Sequence, residues 1–205
     1  GICDGMTALH SENILHLDLK PPNILISTAS SEIPWVTDFG LSMVINQSSM
    51  SMSAGSTGGA KTGRGTLQYK APELFRTPRM GGPAHAKAAD VYSFSMLAWE
   101  VFSGQVPFAG LTESEITTQH IMTALGQEDQ QRPILDKVPE NMREIISTCW
   151  SHDAKDRLTF EEVKELLPIV EDAQQVKREE TKTNEYLTAL DGTKFTYPPK
   201  RGQIQ

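Results

Sequence analysis

The chain has 205 residues, of which 38% are hydrophobic and 22% charged, as in an ordinary globular domain. Its formal net charge of −7 argues against nucleic acid and anionic membrane surfaces as partners. The two cysteines, Cys3 and Cys149, are too few for a disulfide framework, so we expect a reducing, cytoplasmic compartment. No apolar run approaches the roughly 20 residues of a transmembrane helix.

The first segment, residues 1–12, has apolar side chains at the spacing of one helix face, in Ile2, Met6 and Leu9. It carries neither an initiating Met nor a capping signal. We therefore expect the chain to begin inside a helix, as a piece of a longer protein would. Any membrane attachment of that longer protein would then lie upstream.

Short strands are predicted next, over residues 14–17, 23–27 and 34–37. The last two flank the polar connection STASSE and predict a hairpin with a longer loop. Residues 41–70 lack a sustained period and contain nine Ser or Thr and five Gly, which predicts a flexible loop. A loop of this length inside a domain is usually functional or disordered.

Helical patterns dominate the rest of the chain. Residues 88–103 are apolar nearly all round, which predicts a buried helix. Three further helices are predicted over residues 112–125, 139–150 and 159–170. Thr112 with Glu115 and Thr159 with Glu162 have the spacing of capping boxes. The predicted fold class is therefore mainly α with a small β-hairpin.

Residues 16–25, HLDLKPPNIL, hold several polar side chains in one short loop. Asp18 and Asn23 lie five positions apart, and Asp38 follows 15 residues later at the end of the second hairpin strand. A hairpin could return Asp38 to the side of Asn23, so that two oxygen-bearing side chains meet one Mg²⁺ ion. Phosphoryl transfer needs such a metal site and an oriented hydroxyl, whose proton a carboxylate such as Asp18 could take.

Three motifs follow one another in the order of a known family. HLDLKPPN, then Asp38-Phe39-Gly40, then Ala71-Pro72-Glu73 resemble the H-R-D-L-x-x-x-N, D-F-G and A-P-E set of protein kinases. The resemblance covers about residues 1–170 and implies the C-terminal lobe of a kinase, with the N-terminal lobe missing from this chain. It further implies ATP and Mg²⁺ as cofactors, an activation segment over residues 38–73, and a charged, flexible tail over residues 171–205.

The resemblance also assigns roles to single residues. Asp18 resembles the catalytic base, and Asn23 and Asp38 resemble the Mg²⁺ ligands. Lys20 resembles the lysine that serine/threonine kinases place near the transferred phosphate of ATP. The remaining positions are structural or contact the substrate: His16 in the loop's architecture, Thr66 in a substrate loop, Asp90 beneath the loop backbone, and the buried pair Glu73 and Arg157.

The finer resemblance is to the tyrosine-kinase-like group and, within it, to receptor-interacting serine/threonine kinases. It rests on HLDLKP, DFGLS, DVYSFSMLAWEVFSGQVPF and CWSHDAKDRLTF. Leu158 departs from the usual R-P-T-F at the end of that last motif, which concerns only the stiffness of the loop. The group implies Ser and Thr side chains of proteins as substrates, and an upstream receptor or adaptor as a partner.

Two observations bear on functions other than phosphoryl transfer. GSTGGAKT at 55–62 nearly matches the phosphate-binding G-x-x-x-x-G-K-[ST], but Ala60 replaces Gly and no strand precedes it, so we reject that motif. The Gly-rich loop, strand lysine and helix glutamate of a kinase are not found, since only 15 residues precede His16. We expect the chain alone not to transfer phosphate. The alternative function is a pseudokinase or truncated scaffold that only binds partners.

Leu17 occupies the position where the kinase pattern usually has Arg. That arginine pairs with a phosphate on the activation segment through charge-assisted hydrogen bonds. A leucine has no donor and cannot make them. We therefore predict that activity does not depend on a phosphate bound by this loop, with Arg64 and Lys70 as candidate substitutes for the arginine.

Overall fold

The structure, a computed structural model, describes residues 1–26, 33–44, 67–75, 83–127 and 131–167. This part contains five α-helices: α1 Ile2–Ser11, α2 Pro83–Ser103, α3 Glu113–Ala124, α4 Glu140–Cys149 and α5 Phe160–Leu166. It also contains four short strands: β1 Ile14–Leu15, β2 Ile24–Ile26, β3 Pro34–Val36 and β4 Met43–Val44. The prediction of a mainly α fold with a small hairpin is confirmed. Thr66, the GSTGGAKT segment and the tail predicted over 171–205 lie outside the described residues.

Local signals set where two of the helices begin. The Thr112 side chain accepts the backbone N–H of Glu115, and the Glu115 side chain accepts the backbone N–H of Thr112, so the capping box forms at the start of α3. The same reciprocal pair joins Thr159 and Glu162 at the start of α5. A satisfied cap of this kind stabilises a helix by about 1 kcal/mol.

Helix α2 is the central element of the fold. It begins at Pro83 and not at residue 88 as predicted, because Pro is accepted in the first helical turn and the following AHAKAA is rich in helix-forming alanine. Gly104 follows the last turn at a φ of +67°, as a residue after a helix C-terminus often does. Val101 and Phe102 are exposed, so the prediction of burial on all sides is wrong for the last turn.

The core lies around α2. Helix α4 packs against α2, and α5 packs against α1. The core side chains with no solvent exposure include Met6, Tyr92, Met96, Ile146 and Phe160. Burial of one such side chain contributes roughly 1.5–3 kcal/mol to stability. Among the helices of the described ranges, none combines the length and the apolarity needed to cross a bilayer.

The strands form two antiparallel pairs. The predicted hairpin pairs β2 with β3, with Leu25 opposite Trp35. Strand β4 pairs with β1 and places Leu15 opposite Met43. The prediction of a flexible loop over 41–70 is therefore wrong at both ends. Met43 and Val44 form a strand at its start, and Leu67–Tyr69 forms a 3-10 turn at its end. A two-residue strand held by a distant partner leaves no periodic signal in the sequence.

Candidate active site

The backbone of the loop HLDLKPPN is tied to the central helix by Asp90. This aspartate is fully buried in α2 and accepts the backbone N–H of His16 at 2.9 Å and of Leu17 at 2.7 Å. Its Oδ2 also lies 3.0 Å from Nε2 of His10 on α1. Leu17 has a φ of +64°, a left-handed conformation that costs a residue with a Cβ roughly 1–2 kcal/mol. The bonds to Asp90 hold that conformation in place.

His16 connects the loop to the strand that leads into Asp38. The His16 side chain is fully buried, and its Nδ1 accepts the backbone N–H of Asp18 at 3.3 Å. With Nδ1 acting as acceptor, Nε2 is the nitrogen that donates to the carbonyl oxygen of Thr37, at 3.0 Å. His16 therefore has an architectural position, as the family pattern implies for it.

The carboxylate of Asp18 is held through one oxygen only. Its Oδ2 lies 2.7 Å from Nζ of Lys20 and accepts from Nδ2 of Asn23 at 3.1 Å. The same Nδ2 donates to the backbone oxygen of Asp18 at 2.7 Å. The other carboxylate oxygen, Oδ1, is buried and has no hydrogen-bond partner among the described residues. The side chain is thus fixed in orientation with one acceptor unused.

The residue before Asp38 is bonded to the backbone of Asn23, where the two strands of the hairpin lie side by side. Both the backbone N–H of Thr37 and its hydroxyl donate to the backbone oxygen of Asn23, at 2.9 and 3.1 Å. The next residue, Asp38, has a φ of +63°, and its Oδ1 accepts the N–H of Gly40 at 3.2 Å. Since the amide nitrogen of Asn23 is used by Asp18, its amide oxygen remains for a cation.

This donor set fits Mg²⁺. Asn23 and Asp38 offer an amide oxygen and a carboxylate, and Mg²⁺ prefers one or two such oxygen ligands completed by phosphate and water. Within the described ranges, no group of three or more His, Cys, Asp or Glu side chains converges on one point that could hold a metal. The donor set therefore suits a metal that arrives with a phosphate-bearing ligand rather than one held in an all-protein cage.

Arg157 and Glu73 form a bidentate pair beneath the site. The two guanidinium nitrogens Nη1 and Nη2 lie 2.6 and 3.0 Å from the two carboxylate oxygens. Arg157 also donates to the backbone oxygens of Ala88 at 3.0 Å and Ser151 at 2.9 Å. The Arg157 side chain is fully buried and that of Glu73 is 27% exposed. The pair fastens the turn Pro72–Phe75 to α2 and to the segment before α5.

The turn Leu67–Tyr69 lies against α2 as well. The hydroxyl of Tyr69 donates to the carboxylate of Glu100, a buried residue of α2. Burial raises the pKa of Glu100, while the hydrogen bond from Tyr69 acts in the opposite direction. Lys70 comes directly after this turn and is half-buried.

The structure brings together most of the side chains that the sequence singled out. Asp18, Lys20 and Asn23 are in direct contact, and Asp90 contacts the loop backbone. Thr66 lies outside the described residues, so its place in a substrate loop stays a prediction. Sequence reasoning missed His10 and Thr37, because their roles depend on which helix and strand end beside the loop, and no local pattern marks them.

A helical lobe in which one loop holds a carboxylate beside a lysine and an asparagine is typical of a phosphotransferase domain. The chain belongs to the protein kinase family, since the family model described as the protein kinase domain matches residues 1–167. The resemblance to protein kinases predicted from the three motifs is confirmed.

Curated relatives agree with this assignment. Receptor-interacting serine/threonine-protein kinase 3 of Rattus norvegicus is 37% identical over 171 residues, which cover 77% of this chain and 32% of the relative. Serine/threonine-protein kinase VIK of Arabidopsis thaliana is 34% identical over 181 residues, covering 82% of this chain and 37% of the relative. Serine/threonine-protein kinase STY46 of the same plant is 30% identical over 195 residues, covering 95% and 30%. The chain thus spans little more than a third of these relatives at most.

Proposed function

We propose that this chain supplies the catalytic loop and the metal ligands of a serine/threonine protein kinase, which transfers the γ-phosphoryl group of ATP to a protein hydroxyl. The observation that carries the proposal is the state of the Asp18 carboxylate. Lys20 and Asn23 hold its Oδ2, while its buried Oδ1 has no partner in the described part of the chain. A buried acceptor without a donor is costly unless a ligand satisfies it.

The acceptor hydroxyl is the donor that Oδ1 of Asp18 lacks. A hydroxyl that donates to this oxygen has its own oxygen oriented for attack on the γ-phosphorus of ATP. As the new oxygen–phosphorus bond forms, the bond from the γ-phosphorus to the β–γ bridging oxygen breaks, ADP leaves, and the hydroxyl proton passes to the carboxylate. Lys20 lies beside Asp18, so its ammonium can neutralise charge on the transferred phosphoryl group. Asn23 and Asp38 would hold Mg²⁺, which when bound neutralises charge on the phosphates.

The choice of a Ser or Thr acceptor rests on the lysine and on the relatives. Lys20 fits the serine/threonine pattern, and the relatives described above are named as serine/threonine kinases.

Both cysteines are buried and free, and burial raises the pKa of Cys3 to about 11 and that of Cys149 to about 12. Thiols kept protonated in this way are unreactive. Free thiols are consistent with a reducing, cytoplasmic compartment, which we propose for this chain. Its protein substrates and an upstream adaptor would lie in the same compartment.

Leu17 supports a specific mode of control. Its side chain brings no donor for a phosphate, and its backbone is held by Asp90. We infer that the loop is ordered by α2 and not by a phosphate on the activation segment. Control would then come from elsewhere, such as oligomerisation or the nucleotide-binding lobe.

A second candidate, a non-catalytic binding module, has one observation in its favour. Apolar side chains of the β2–β3 hairpin are open to solvent, among them the cross-strand pair of Leu25 and Trp35. Ile26 is 64% exposed, Trp35 62% and Leu25 58%. An apolar patch of this kind usually meets another surface. In a kinase that surface is the smaller lobe, and in a scaffold it would be a partner protein.

One experiment separates the two functions. A fusion protein is made in which this chain follows the segment that precedes the matched region in receptor-interacting serine/threonine-protein kinase 3 of Rattus norvegicus. The 205-residue chain and the fusion protein are then each assayed with ATP, Mg²⁺ and Ser-containing peptides. We expect transfer by the fusion only. Asp18→Asn should lower kcat at least about 100-fold without changing the Tm. The matched control Asp153→Asn changes an exposed carboxylate and should leave kcat unaltered.

Two outcomes contradict the enzyme. A folded fusion that binds ATP and Mg²⁺ but transfers nothing would favour the binding module. A fusion whose activity survives Asp18→Asn would remove Asp18 from the chemistry. Robust, Asp18-dependent activity of the 205-residue chain by itself would show that the expected inactivity is wrong.

A further inference from the structure

His10, in the last turn of α1, is bonded to the aspartate that holds the loop HLDLKPPN. The His10 side chain is 4% exposed, and its Nε2 lies 3.0 Å from Oδ2 of Asp90. Because a carboxylate oxygen can only accept, Nε2 carries the hydrogen and donates it. The proposed reaction uses no group of His10, so the role of this buried bond is open.

A second contact fixes the ring of His10. It lies edge-on against the ring of Phe160, with the centroids 5.2 Å apart and the planes at 66°. Phe160 is fully buried and begins α5. Two aromatic rings prefer such an edge-to-face arrangement. Helix α5 therefore holds the donor of His10 in place beside Asp90.

The carboxylate of Asp90 connects His10 to the loop backbone. Its Oδ1 accepts the N–H of Leu17 at 2.7 Å, and its Oδ2 accepts both the N–H of His16 at 2.9 Å and the Nε2 hydrogen of His10. Asp90 is fully buried, so in the described part of the chain these three donors compensate for its lost hydration. Without His10, Oδ2 keeps one donor and the carboxylate is less firmly oriented toward the two amides.

The two amides belong to the strained backbone directly before Asp18. Leu17 has a φ of +64°, a conformation that is strained for a residue with a Cβ. Relaxation at Leu17 would rotate the next peptide and displace the carboxylate of Asp18. A displacement of about 1 Å in a reacting group can cost about 100-fold in rate. Order at Asp90 is therefore transmitted to the transfer step.

We propose that His10 is a positioning residue for phosphoryl transfer, acting through Asp90 on the backbone at Leu17. The proposal rests on the proposed role of Asp18 as the base. Among the described residues, the ring nitrogens of His10 are bonded to Asp90 alone. Loss of the bond should therefore lower kcat and leave the binding of ATP and peptide unaltered.

Kinetics of the fusion protein test the role of the donor. His10→Phe keeps an aromatic ring against Phe160 but has no donor, whereas His10→Gln loses the ring and keeps an amide N–H with about the reach of Nε2. His10→Phe should lower kcat at least about tenfold, as expected for one charge-assisted bond, with both KM values within about twofold. His10→Gln should restore most of the kcat. In an Asp90→Asn background, His10→Phe should have no further effect.

Hydrogen exchange tests the same bond without any activity. In the 205-residue chain, the amides of His16 and Leu17 donate to Asp90 and should exchange at least about tenfold faster in His10→Phe. This rate is taken relative to the amides of α4, which report opening of the whole lobe. The matched control His120→Phe makes the same substitution at a fully buried histidine of α3 and should leave the relative rate unaltered. If His10→Phe does not fold, His10→Leu takes its place.

Three results would overturn the proposal. One is a His10→Phe protein with unaltered kcat and unaltered relative exchange. Another is a His10→Gln protein as impaired as His10→Phe, because the ring and not the donor would then matter. The third is a loss that appears only in the KM for the peptide.

The exchange measurement separates this proposal from the proposed function. If no form of the fusion protein transfers phosphate, faster relative exchange at His16 and Leu17 in His10→Phe would still support the ordering of the loop by His10. Unaltered exchange would refute it.

Discussion

Replacing Glu73 with Gln is expected to destabilise the folded chain by about 3 kcal/mol, because it leaves the buried guanidinium of Arg157 without its counter-charge. Removal of one partner from a buried ion pair typically costs about 3–5 kcal/mol. The lower end applies here for two reasons: the Glu73 side chain is 27% exposed, and Gln still offers one oxygen to the guanidinium. The bonds from Arg157 to Ala88 and Ser151 remain.

The expected loss is large enough to measure in two ways. Urea unfolding followed by circular dichroism should show a lower midpoint with an unchanged m-value, since the surface exposed on unfolding stays the same. Thermal unfolding should shift by about 6–12 °C, at roughly 2–4 °C per kcal/mol for a chain of this size. A double-mutant cycle with Arg157→Met isolates the coupling between the two side chains.

The control for Glu73→Gln is the exposed pair of Lys155 and Asp153. Their charged atoms lie 2.8 Å apart, but their side chains are 66% and 43% exposed. Asp153→Asn should therefore cost less than about 1 kcal/mol. If Glu73→Gln costs no more than Asp153→Asn, or if the cycle with Arg157→Met shows no coupling, then distance and burial do not decide the strength of an ion pair in this fold.

Two further predictions concern a histidine and the catalytic loop. Burial lowers the pKa of His120 to about 4 from an unfolded value of 6.5, so between these two pH values only the unfolded chain binds a proton, and the folded state loses stability as the pH falls. Urea unfolding should show a loss of about 2 kcal/mol between pH 7.5 and 5, and His120→Phe should remove this loss. An equal dependence of stability on pH in the variant would contradict the assignment to His120. For Leu17, phosphatase treatment of the fusion protein should leave kcat within about twofold, whereas a collapse that Leu17→Arg does not alter would show that our account of control is wrong.

Local sequence signals predicted those parts of the fold whose causes are local. The capping boxes at Thr112 and Thr159 need only residues three positions apart, and both form. The hairpin is predicted because two short apolar runs flank a polar connection. The strand Met43–Val44 was missed because it exists only through its pairing with β1, which lies far away in the sequence.

The same distinction applies to the site. Asp18, Lys20 and Asn23 lie within six positions, so a short loop already brings them near one another. The third contact of Asp90, with His10, needs the end of α1 to lie beside α2, which depends on packing across the core.

The two strained backbone positions of the site explain how this lobe can be preorganised. Leu17 precedes the proposed base Asp18, and Asp38 is a proposed metal ligand; their φ values are +64° and +63°. Such strain persists only where the surroundings enforce it. At Leu17 the enforcing group is Asp90 of α2, and at Asp38 it is the pairing of Thr37 with Asn23 together with the bond from His16. The backbone beside the proposed base and at the proposed metal ligand is therefore held by contacts within the helical lobe.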